Sequence, residues 1–206
     1  TNSADHATAT QGCQLYGQLV LHMNVLRKIW RSLFAEPPYA APAREAYLTV
    51  VAQARDTAFY ESLGVPDTVD GRFEMIALHA ILLVRRVKGR GPPSDQFGRE
   101  FMSYLFADMD RNLREMGTGD MGVGKRIKEM ADAFYGRAKA YQAAIDSAGP
   151  TLEEALARNV YVDDPARIEG LGRLADIVRR QVVNLDGQDL GQILTGKVRF
   201  EAPSVV

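Results

Sequence analysis

Two apolar stripes at helical spacing fill the centre of the chain. Phe97, Phe101, Tyr104, Leu105, Met109, Leu113 and Met116 fall on a three-and-four step, and so do Val123, Ile127, Met130, Phe134, Ala138, Tyr141 and Ile145. That recurrence gathers side chains on one face of an α-helix, whereas a strand would scatter them over both faces of a sheet. Between the stripes lies "GTGDMGVGKR" at 117–126. The spacing predicts two long helices, near 94–116 and 120–147, folded back as a helical hairpin over residues 94–147. Ser94 or Asp95 caps the first helix, Gly117 ends it with a positive φ, and Asp120 caps the second. Gly122 and Gly124 then allow close backbone approach in its first turn.

The same period continues on either side. "MIALHAILLV" at 75–84 sits in a helix of roughly 71–88, with Asp70 as N-cap. It is apolar nearly all round and so is expected at the centre of the fold. Residues 43–62 form one helix with Tyr47, Val50, Val51, Ala54 and Ala58 on a face, ended by Gly64 and Pro66. "TLEE" at 151–154 is a capping box, Thr151 with Glu154. Asp164 and Pro165 open a helix to about 183. The tail from 196 has one short strand-like patch. No run of period-2 strands is found, and the fold class is all-α, a single domain of about seven helices.

Residues 24–34 are also amphipathic, with Leu26, Ile29, Trp30, Leu33 and Phe34 opposite Arg27, Lys28 and Arg31. Pro37, Pro38 and Pro42 follow as a linker. Residues 1–22 carry no Lys or Arg, unlike a secretory or transit leader, and Met23 opens the helix. The expected organisation is a non-native or disordered extension over 1–22, a basic helix and linker over 23–42, the all-α body over 43–195, and a tail over 196–206.

Bulk composition removes several function classes. The net charge of −1 provides no global field toward nucleic acid, and no DNA partner is expected. The single cysteine, Cys13, leaves no disulfide framework or cysteine zinc site. His6, His22 and His79 show no metal-ligand spacing. No apolar run reaches the roughly 18–20 residues of a membrane span.

The glycines satisfy two nucleotide fingerprints on paper: Gly117, Gly119 and Gly122 fit G-x-G-x-x-G, and Gly119, Gly124 and Lys125 fit most of a P-loop. Both motifs need a strand delivering the chain to the phosphate, and a P-loop needs a hydroxyl after the lysine for magnesium. Here a helical stripe precedes the glycines and Arg126 follows Lys125. A small nucleotide-binding enzyme using 117–125 is therefore the alternative reading, and the helix turn is preferred.

Arg85, Arg86, Lys88 and Arg90 form the densest positive cluster. They read as a contact for ribosomal RNA or lipid phosphate, or as a solvated helix end. Arg27, Lys28, Trp30 and Arg31 are the matching candidates for a membrane surface. His79 reads as a core histidine bonded to a carbonyl or carboxylate. Asp108 and Asp110 stand about 200° apart on a helix and do not converge for catalysis. Arg111 and Glu115 read as a surface pair. Phe134 and Tyr141 are in phase with the core, while Tyr135 is off it and is a contact candidate. Gly136 reads as a close helix crossing.

Three stretches carry a resemblance: "FYESLGVPDTVDGRFEMIALHAILLVRR" (59–86), "DMDRNLREMGTGDMGVGKRIKEMADAFYGRAKAY" (108–141) and "EALARNVY" (154–161). The Leu78-His79 pair and the framework around Gly119, Asp120, Gly124 and Lys125 resemble the bacterial branch of the ubiquinol–cytochrome c chaperones. Ile81 stands where mitochondrial members carry a tryptophan, and residues 162–206 show no resemblance. The resemblance implies a non-enzymatic, cofactor-free assembly factor that binds unassembled cytochrome b. For mitochondrial members it implies work near the ribosomal exit with a small partner; for this chain a cytoplasmic protein, peripheral on the inner membrane, is expected, with a small co-chaperone or the ribosome as candidate partners that the resemblance does not decide. Arg72, Glu74, Arg114, Asp120, Lys125 and Arg137 fall inside the resembling stretches. They read as structural ion pairs or, with Tyr135, as the client-binding face.

Overall fold

The computed structural model describes residues 37–115, 120–147, 149–162 and 170–203. Among them are eight helices and no strand: α1 Ala40–Ala54, α2 Thr57–Glu61, α3 Val69–Val87, α4 Pro92–Glu115, α5 Asp120–Ile145, α6 Leu152–Val160, α7 Leu171–Gly187 and α8 Leu190–Leu194. The all-α expectation holds. The basic helix at 24–34, with Arg27, Lys28, Trp30 and Arg31, and the extension at 1–22 lie outside the described residues. So do Gly117, Asp164 and Pro165.

α3 is the axle of the domain, as its all-round apolar sequence predicts. Met75, Leu78, Ile81, Leu82, Leu83 and Val87 are all buried, and α1, α4, α5, α6 and α7 pack around the helix. Burial of each such side chain contributes about 1.5–3 kcal/mol. Thr68, not Asp70, is its N-cap: the Thr68 hydroxyl accepts from the Gly71 N–H at 3.1 Å, and Asp70 sits in the first turn. There Asp70 still favours the helix through the dipole. Gly71 is required by contact, because a Cβ at this position would lie 2.0 Å from the Pro66 carbonyl oxygen.

The helix expected over 43–62 is two helices. Asp56 interrupts it by accepting from the Ala58 N–H at 3.0 Å, which starts α2 afresh. Gly64 then takes φ 69°, and the Val65 N–H closes onto the Phe59 carbonyl at 3.0 Å. α1 lies along α4, where Tyr39 meets Phe97 and Tyr47 meets Phe101 edge to face. α4 starts at Pro92, two residues before the expected caps, since proline is favoured in a first turn. Asp95 instead accepts from the Gly89 N–H at 3.0 Å and ties down the preceding turn.

α4 and α5 are the two helices expected from the stripes, with Asp120 as the first residue of α5 rather than its cap. Two glycine readings need correction. A Cβ at Gly124 or Gly136 would meet nothing within 4 Å, so neither marks a close approach. The capping box opens α6 as read: the Thr151 hydroxyl accepts from Glu154 N–H, and the Glu154 carboxylate accepts from Thr151 N–H.

The chain after α8 turns at Gly196, where φ is 87° and an added Cβ would lie 2.8 Å from the Pro42 carbonyl oxygen, so glycine alone suits the position. Residues 197–203 then run extended over α7. Val198 and Pro203 point inward and are buried. Between them the Phe200 ring packs edge-on against His79 at 5.3 Å. His79 also meets Phe59 edge-on, and its Nδ1 lies 2.8 Å from the Met75 carbonyl. It is the core histidine the sequence implied, and burial lowers its pKa to about 4 against the opposing pull of that carbonyl.

Candidate functional site

A groove of about 740 Å³ opens between the first half of α3, the second half of α4, the middle of α5 and the end of α6. Its apolar lining is Phe73, Ile76, Leu105, Met109, Leu113, Met130, Ala133 and Val160. Val69 and Val162, 63% and 62% exposed, stand among the lining residues as unburied apolar side chains. The two methionines suit a surface that must adapt to irregular shapes.

The polar side chains of the groove are tied to one another. Arg137 donates from Nε to Glu74 Oε2 at 2.6 Å and from Nη2 to Oε1, a fork-on-fork pair between α5 and α3. The Glu74 side chain is 7% exposed and that of Arg137 20%. Burial pushes the Glu74 carboxyl above its ordinary pKa, with Arg137 pulling it back and Asp70 adding to the rise. The Arg137 guanidinium also lies 5.9 Å from the centre of the Phe73 ring, in cation–π range. The Tyr141 hydroxyl is also buried, and burial first, then the Glu74 charge, raises its pKa against the opposing pull of the Asn159 side chain and Arg137.

On the α4 side, Asp108 accepts from the Tyr47 hydroxyl at 2.7 Å and from Asn112 Nδ2 at 3.2 Å, and Arg111 reaches it at 3.7 Å. Burial and this carboxylate raise the Tyr47 pKa. Glu74 and Asp108 are thus held by cations and donors, Asp70, Glu115 and Glu129 also line the groove, and the remaining surface is a mixed trough with an apolar floor. Such a surface binds an apolar segment through shape and area. Among the described residues no cluster of His, Cys, Asp and Glu has the geometry of a metal site.

The structure brings Arg72, Glu74 and Arg137 together on this groove and places Arg114, Lys125 and Tyr135 outside its lining. Arg72 forms an exposed pair with Asp67 at 2.6 Å. Arg114 pairs with Asp110 at 2.7 Å away from the groove lining, and Lys125, itself outside the lining, stands 3.9 Å from the lining residue Glu129. Tyr135 is 60% exposed and packs on Phe134. The Asp120 side chain lies outside the described residues. Sequence reasoning missed Asp108, Tyr47 and Asn159 as groove residues; the place of Tyr47 on an apolar helix face and of Asp108 beside the Leu105–Met109 stripe hinted at burial but not at a shared site.

The basic cluster is not a free patch. Arg85 Nη1 donates to both Asp186 oxygens at 2.9 and 3.0 Å. Arg86 donates to the carbonyls of Leu185 at 2.8 Å and Gln188 at 2.7 Å, at the end of α7. Two of the four cations of this cluster therefore lock α3 to α7, which leaves Lys88 and Arg90 exposed. The glycine segment is flanked by helices α4 and α5, where a nucleotide motif needs a strand.

The sequence pattern of a family described as ubiquinol-cytochrome C chaperone matches residues 61–200. The chain belongs to this family. The match carries the chaperone pattern well past Tyr161, so the expectation that residues 162–206 stand apart is corrected. Curated relatives are the ubiquinol-cytochrome-c reductase complex assembly factor 1 of Xenopus laevis, 30% identical over 68% of this chain and 70% of its own, and that of Mus musculus, 28% identical over 77% of this chain. The chain spans about half the length of the mouse protein, 54%. The crystal structure of the Cbp3 homolog from Brucella abortus superposes with a TM-score of 0.75 at 34% identity, covering 88% of this chain and 99% of that one. In this ubiquinol–cytochrome c chaperone, Glu74, Asp108, Arg137 and Asn159 all lie within the matched span.

Proposed function

We propose that this chain is a non-enzymatic assembly chaperone of ubiquinol–cytochrome c reductase, and that the groove on α3–α6 holds an apolar segment of unassembled cytochrome b. The observation that carries the reading is the groove itself. Its floor is apolar and adaptable, and the buried Glu74 and half-buried Asp108 are already paired, so an apolar guest resting on the floor leaves neither carboxylate without its partner. The family membership and the relatives' names support the reductase as the target. Among the described residues no helix is long and apolar enough to cross a membrane. We place the protein in the cytoplasm, at the surface of the inner membrane where its client inserts. A ribosome or small co-chaperone contact would use Lys88 and Arg90 rather than the whole basic cluster.

The test is site-specific photo-cross-linking in cells. A photoreactive residue at Ile76 or Met130 is expected to capture cytochrome b, and one at Val183, exposed on α7, is not. Ile76→Asp with unchanged circular dichroism should lose the capture. Equal capture from Val183, or none from the groove, would reject the site. Normal b-haem spectra in a strain lacking the gene would reject the assembly role.

A further inference from the structure

The extended segment after α8 is held in an unusual way. Its backbone is bonded by side-chain amides, not by a neighbouring strand. Gln188 donates from Nε2 to the Arg199 carbonyl at 2.6 Å and accepts from the Arg199 N–H at 3.0 Å. Gln181 does the same for Glu201, donating at 2.6 Å and accepting at 3.1 Å. Asn184, between them on α7, adds a donor to the Arg199 carbonyl at 2.8 Å. From α1, Gln53 adds one to the Glu201 carbonyl at 3.0 Å. Positions 181 and 184 share one face of α7 and Gln188 follows as its C-cap, and their amides form a row along the segment.

Gln181 is 1% exposed and Gln188 9%. Each primary amide offers one donor and one acceptor side by side, the pattern a β-strand edge presents to an added strand. Between the two read residues, Phe200 turns inward onto His79, while the Arg199 and Glu201 side chains are exposed. These are the contacts of a peptide ligand: backbone bonds at alternate residues, and an aromatic anchor at Phe200 flanked by the buried Val198 and Pro203.

We propose that the amide row of α7 is a peptide-binding site for an extended segment with an aromatic residue between two backbone-read positions, and that residues 197–203 are its resident, exchangeable ligand. The resident holds the site through its high local concentration. A peptide in trans gains access once the resident's anchor or a read N–H is removed. Specificity lies in the aromatic ring and in the two N–H groups, not in the residues at 199 and 201.

A labelled heptapeptide of residues 197–203 tests this against the full chain carrying Phe200→Ala or, separately, Glu201→Pro. Both variants should bind it one to one and at least about ten-fold more tightly than the unsubstituted chain. Adding Gln181→Leu to either variant should abolish binding. A peptide with alanine substituted for both Arg199 and Glu201 should bind as well as the original, and one with Phe200→Ala should not. No binding to either variant, or binding that depends on the Arg199 or Glu201 side chains, would overturn the proposal. Hydrogen exchange of the unsubstituted chain gives a check free of mutation. The Arg199 and Glu201 amides should exchange through an opening that leaves α3 protected; exchange only together with α3 would show a fixed element of the core and overturn it.

Discussion

Arg137 on α5 holds Glu74 on α3 through two parallel hydrogen bonds, and the carboxylate side chain is 7% exposed. Removing one member leaves the other charged and desolvated. Arg137→Met is expected to cost about 3–5 kcal/mol in urea unfolding, and Glu74→Leu with Arg137→Met much less than the sum of the singles. The pH dependence has a sign. The Glu74 pKa is raised in the folded state, so its contribution to stability is fullest below its ordinary value of 4.5 and is lost as pH rises through the folded value. Arg137→Met removes the opposing pull and should steepen that loss, which unfolding curves across pH 4–8 would read.

His79 acts in the opposite direction. Its folded pKa is about 4 against 6.5 unfolded, so the unfolded chain binds the proton first as pH falls. Stability should drop by about 3 kcal/mol between pH 6.5 and 4 on this account. His79→Leu should flatten that part of the profile, whatever its effect at neutral pH.

Two glycines within helices should respond with opposite signs to the same change. Gly136→Ala enters open space and gains helix propensity, so about 0.5–1 kcal/mol of stabilisation is expected. Gly71→Ala drives a methyl into the Pro66 carbonyl and should cost about 3 kcal/mol or more. Thermal melts of the two variants decide it.

Arg86 is a structural residue by its contacts. Arg86→Ala leaves the Leu185 and Gln188 carbonyls without their charged donor and should cost about 2 kcal/mol. Reversing the charges of exposed Lys88 and Arg90 should stay within about 0.5 kcal/mol. Denaturant midpoints for the two variants separate anchoring charge from surface charge.

Helix periodicity made most of the fold legible. The stripes of α4 and α5, the apolar axle α3 and the Thr151 capping box need only local sequence, and each is present. The break at Asp56 and the Thr68 cap were hidden because several polar residues nearby compete for the same N–H groups. The groove was legible only in part. Glu74, Arg72 and Arg137 were flagged by the stretches that resemble a family. Their partnership, the role of Asp108 and the diversion of Arg85 and Arg86 to α7 join residues that are 61 or more positions apart, where no spacing rule reaches. Gly136 misled because a helical glycine is open to two readings, and only the neighbouring helix decides between them.

An amide row that grips main chain is indifferent to letters and strict about count. Along residues 197–203, point changes at positions 199 and 201 should drift freely during evolution. A single inserted or deleted residue between Gly196 and Phe200 would flip the aromatic ring to solvent and carry the wrong backbone groups past Gln181 and Gln188. Homologues of this chain should therefore vary here in spelling while keeping the length of this stretch constant.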